Sequence, residues 1–72
     1  MGKRNPIVHA LSVRYAEAAI KEHGNAKAAL YAQFGPVKAE ELAGEDDPDY
    51  LETLDRVMYR LAEINIQRLG VG

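Results

Sequence analysis

The densest chemistry-bearing stretch in this chain is the acidic run EDDPDYLE, residues 45–52. Closely spaced carboxylates can hold a hard cation, so a metal loop is the first chemistry to test. A calcium loop of the EF-hand type needs oxygen ligands at alternating positions, a glycine at the sixth and a glutamate at the twelfth. Counted from Asp46, those two positions are Leu51 and Val57. The pattern fails, and the run is read instead as a solvated loop feeding the N-terminus of a helix. Negative charge is favoured there by the helix dipole.

The other reactive residue types are sparse. His9 and His23 lie too far apart in sequence for the i, i+4 pair of a zinc-binding helix, and there is no HExxH. His23 falls where a last helical turn favours a cation. Ser12 is the only serine, and no nucleophile-elbow pattern surrounds it. Cysteine is absent, which removes disulfides and thiolate metal sites together. No glycine-rich phosphate loop is present. The expectation is therefore a non-enzyme, with no catalytic residue, no metal and no cofactor.

Binding chemistry offers more. Two short helical segments around Gly35-Pro36 have the outline of a helix-turn-helix. The second of them, VKAEELAG, carries one lysine and two glutamates. A helix entering the major groove faces phosphates and is normally basic, so this one is poorly suited. Tyr31 also falls near the position where such a motif wants a small residue. A basic face built from Lys3, Arg4, Arg14, Lys21 and Lys27 is the stronger nucleic-acid candidate. Charge is indeed asymmetric: residues 1–39 carry six basic and two acidic side chains, and residues 40–55 carry eight acidic and none basic. The remainder, 56–72, carries three basic and one acidic.

The elements that must position these residues follow from caps and periodicity. Residues 1–5 form a basic arm, and Asn5-Pro6 caps a helix over about 6–23 that Gly24 stops. That helix is apolar on more than one side. Asn25 opens a short helix over about 25–34, ended by Gly35, and Pro36 opens a third over 36–43, closed by Gly44. Asp47 as N-cap and Pro48 at the first helical position start a long helix over 48–69, with Gly70 to end it. No stretch alternates with the period of a strand. The fold class is all-α, a single domain of four helices in the order long-short-short-long, with the long pair packed antiparallel.

The last helix organises the chain. Tyr50, Leu54, Val57, Leu61 and Ile64 recur at helical spacing and form one stripe. The apolar arc is wider than one partner helix would cover, and its β-branched and leucine positions alternate as in two-stranded coiled coils. These five residues are the expected self-association surface of a homodimer, with Asn65 inside the arc as a candidate for fixing register. Tyr59 and Ile66 lie off that stripe and are a candidate contact patch for a protein partner, together with Arg14 and Lys21 on the first helix. A short chain supplies only about 3–5 kcal/mol from one core, which also favours association.

The functional expectation is a small accessory, regulatory or inhibitory protein, of the kind bacteria and their phages use, that binds a larger protein. A DNA-binding regulator using the basic first half is the alternative. No segment approaches the length of a membrane span, and MGKRNP is not a signal peptide, so a soluble, cytoplasmic protein is expected.

Overall fold

A computed structural model describes residues 3–70, so Met1 and Gly2 of the basic arm lie outside the described residues. The described residues contain four α-helices and no strand: α1 Pro6–His23, α2 Ala26–Phe34, α3 Pro36–Ala43 and α4 Leu51–Arg68. None is long and apolar enough to cross a membrane. The caps act as the sequence implies at the first two helices. The Asn5 side chain accepts from the N–H groups of Ile7 and Val8, and that of Asn25 from the N–H of Ala28. Between α2 and α3 the corner is a single residue, Gly35, at φ 86°, a conformation that side-chain-bearing residues avoid.

The start of α4 differs from the expectation. The helix begins at Leu51, three residues later than Pro48, because the segment before it makes its own turn. The Tyr50 N–H donates to the Asp47 carbonyl at 3.1 Å, and Tyr50 sits in the left-handed region at φ 63°. This is an uncommon place for a bulky residue. What opposes the strain is burial: Tyr50 is inside the core, edge-on to Tyr31 with ring centroids 6.0 Å apart. Asp47 still caps the helix, but from further back. Its Oδ2 accepts from the Thr53 N–H and from Thr53 Oγ1, both at 2.7 Å. Tyr50, the residue at the N-cap position, makes no side-chain cap hydrogen bond.

The core gathers around the α2–α3 corner. Leu30, Leu54 and Met58 are its larger side chains, packed with Tyr50 and with Ala26, Ala29, Ala39 and Ala43. From α1, Tyr15, Ala16, Ala19 and Ile20 close over this cluster. Small residues let the backbones come close, which suits a slab 34 × 29 × 16 Å, about two helix layers thick.

Polar contacts from the arm before α1 and from α1 itself to α4 rise together in number: Arg4 meets Asp55, Asn5 meets Tyr59 and Tyr15 meets Asn65. In a side-by-side antiparallel pair the partner numbers would fall. The chain from Arg4 to Tyr15 instead meets α4 at positions that advance from Asp55 to Asn65. The antiparallel expectation is corrected by these contacts.

Candidate functional site

Helix α4, 18 residues long like α1, is the more strongly amphipathic of the two, and its stripe divides between two environments. Tyr50, Leu54 and Met58 are buried in the core at 8%, 2% and 5% exposure. Val57, Leu61 and Ile64 lie one step round the helix and reach the surface, with Leu61 36% exposed. Opposite them stand Phe34 from the end of α2 and Leu42 from α3. Together these five side chains floor an open groove of about 410 Å³.

The groove's polar margin is of one sign. Arg56 and Arg60 rise from α4 on one wall, Lys38 and Gln33 from α3 and α2 on the other, and Thr53 closes one end. Among the described residues no carboxylate lines it. Arg56 donates, among the described residues, to the Leu42 carbonyl and Thr53 Oγ1, each at 3.4 Å, and its charge also acts on Asp47, while Arg60 meets Glu63 at 3.4 Å. Hydrogen bonds this long contribute little, and the Arg60 pair is exposed as well, which leaves these guanidinium groups able to engage something else.

The five residues expected to form a self-association stripe are thus separated by the fold. Tyr50 and Leu54 belong to the core, while Val57, Leu61 and Ile64 line the groove. Asn65, expected to fix register between two copies, donates from Nδ2 to the Tyr15 hydroxyl at 2.8 Å within the same chain.

Tyr59 and Ile66 do not form an exposed patch; both are half-buried. The Tyr59 hydroxyl accepts from the Asn5 N–H at 2.8 Å, and the Arg4 guanidinium lies 4.3 Å above its ring. Arg4 also donates through both terminal nitrogens to Asp55, at 3.1 and 2.6 Å. The hydrogen bond to Asp55 raises the Arg4 pKa above its already high ordinary value, so the guanidinium stays charged. Arg14 and Lys21 are exposed on α1, as expected.

The residues considered for chemistry are otherwise occupied. Ser12 is buried and donates to the His9 carbonyl at 2.8 Å, an ordinary helical back-bond. His23 pairs with Glu22 at 3.1 Å. Asp47 turns inward from the acidic run. Burial pushes its carboxyl up, but hydrogen bonds from the Thr53 side chain and from the Thr53 and Glu52 N–H groups, with the charge of Arg56, outweigh it. The net effect holds Asp47 below the usual carboxylate range. The hydrogen bond that Tyr31 donates to Glu40 Oε2, at 2.6 Å, is the largest cause raising the Tyr31 hydroxyl well above its ordinary pKa. Among the described residues no group of three or more His, Asp or Glu side chains converges on a common point.

Sequence reasoning did not single out Phe34, Leu42 or Lys38 as groove residues. Phe34 carried a signal: it is the only phenylalanine, placed beside the glycine that turns α2 into α3. Arg56 and Arg60 were legible only as dipole partners, since the facing wall comes from residues about twenty positions earlier. No protein-family profile, curated protein or solved structure matches the chain.

Proposed function

We propose that this chain is a small non-enzymatic interaction module, a regulatory or accessory protein. Its groove between α4 and the α2–α3 corner receives a helix of a larger protein partner. One observation carries the reading: the fold of the chain itself covers only part of the α4 stripe. Val57, Leu61 and Ile64, with Phe34 and Leu42, remain an open apolar floor with a polar rim. Apolar floors with polar rims are how proteins receive amphipathic helices, read through anchors at i, i+3 or i+4, and i+7.

Self-association through α4 would use the same three residues, so a second copy of this chain is the competing occupant. The nucleic-acid reading has less behind it. Arg4 of the basic half is tied to Asp55, and α2 and α3 are joined through one residue, where a helix-turn-helix uses a turn of about three or four.

The test is site-specific photo-cross-linking in an extract of the native host. A photoreactive aromatic in place of Leu61 should yield one discrete adduct with a larger protein, lost when Ile64→Glu is added. The same group in place of Val13, exposed on α1, should not yield that adduct. Equal labelling from both positions, or none from Leu61, overturns the groove as the docking surface.

A further inference from the structure

The rim of the groove says what kind of helix it fits. This inference rests on the reading of the groove as a docking surface, and deepens it. The whole chain has a net charge of −2, yet among the described residues the lining of this one groove holds three cations and no carboxylate. They are also divided between the walls, with Lys38 on α3 and both Arg56 and Arg60 on α4. Lys38 has no ion-pair partner among the described residues, and the only carboxylate near Arg60 is at 3.4 Å. From Thr53 to Ile64 the α4 wall is about 16 Å long, or three helical turns.

We infer that the groove takes an acidic amphipathic helix, about three turns long, with an apolar stripe flanked on both sides by carboxylates. A second copy docked face to face is a poorer fit. An isologous interface sets the same patch against itself, so the rim cations of one copy would crowd those of the other. A carboxylate-flanked helix instead meets each wall with the opposite charge, and arginine can engage carboxylates through two parallel hydrogen bonds.

The experiment uses two fluorescent peptides of equal length with leucines at the same helical spacing. One has glutamates on both flanks, and its twin has lysine at every glutamate. Fluorescence anisotropy against the full chain should show the acidic peptide binding at least about tenfold more tightly at low salt, with the gap narrowing as salt rises. Arg60→Glu alone, at an exposed position, should shrink the preference, and Arg60→Glu with Arg56→Glu and Lys38→Glu should reverse it. Circular dichroism of each variant confirms that it stays folded.

The outcomes separate the two ideas. Equal binding of both peptides, each abolished by Leu61→Glu, keeps the docking groove and overturns its selectivity. Binding of neither peptide overturns both. Sedimentation equilibrium showing a wild-type dimer that Leu61→Glu dissociates assigns the groove to a second copy and overturns the acidic partner. Tighter binding to anionic phospholipid vesicles than to the acidic peptide assigns the groove to a lipid surface and overturns the acidic helix.

Discussion

Asp47 does two jobs with one oxygen: it accepts from the Thr53 N–H and from the Thr53 hydroxyl while nearly out of reach of water. Its folded pKa lies below the unfolded value of about 3.9, so the stabilisation it provides is fully present above that value. It is lost as pH falls through the folded pKa. Thermal melts should therefore show Asp47→Asn less stable than wild type near neutrality, with the difference closing as pH drops below about 3.9. A constant difference down to strong acid would mean the carboxylate's charge is not what matters. Tyr31 gives the opposite sign at the other end of the scale. Its raised pKa means that stability present below the ordinary tyrosine value of about 10 is lost as pH climbs through the folded one. Tyr31→Phe should flatten that alkaline loss. Asp47 was recognisable as a cap in the sequence, yet its geometry was not. Local propensity placed it at the N-cap, and the burial of Tyr50 against Tyr31, a tertiary effect, moved the helix start three residues on. Tyr59 was misplaced for a similar reason, since its cover comes from Asn5 at the far end of the chain.

Among the elements, α4 contains a direct comparison. Leu54 and Leu61 both lie on the apolar arc, but Leu54 is 2% exposed and Leu61 is 36% exposed. Leu54→Ala should cost about 2–5 kcal/mol, as cavity-forming core truncations do. Leu61→Ala should fall within about 1 kcal/mol, because little packing is lost at a surface position. Urea denaturation of the two variants measures this. Equal losses would show that Leu61 is covered in solution. Periodicity marks which residues of a helix are apolar on one side, and the four helices were legible at that level, with most of their boundaries. It does not say which part of a wide arc the rest of the chain will cover. That depends on where the α2–α3 corner ends, and Gly35 fixes the corner without announcing its direction.

For the molecule as a whole, the core is thin. Among the described residues five of the ten buried apolar ones are alanines, which bury little area each. A chain of this size with such a core should have a stability of only about 3–5 kcal/mol. Binding to the native state alone raises apparent stability by mass action. An acidic peptide at about a hundred times its dissociation constant should thus add about 2.7 kcal/mol, visible as a higher melting temperature. No rise under saturation by anisotropy would show that the peptide also binds unfolded chains. Circular dichroism of the free protein should give a helical spectrum at low temperature and a broad melt, as expected for a small unfolding enthalpy.

The clamp that Arg4 and Asn5 make on Asp55 and Tyr59 has a consequence for the order in which the chain assembles. The α2–α3 corner joins residues only nine apart, as in Tyr31 with Glu40, whereas the clamp closes a loop of more than fifty. Loop-closure entropy grows with the length enclosed, so the corner can form early and the clamp must follow. Unfolding retraces this: the first turn of α1 leaves α4 before the corner opens. Amide hydrogens of residues 7–10 should exchange faster than those of 28–31, and weakening the clamp with Asp55→Asn, which removes the Arg4 ion pair, should widen that gap while leaving the refolding rate nearly unchanged.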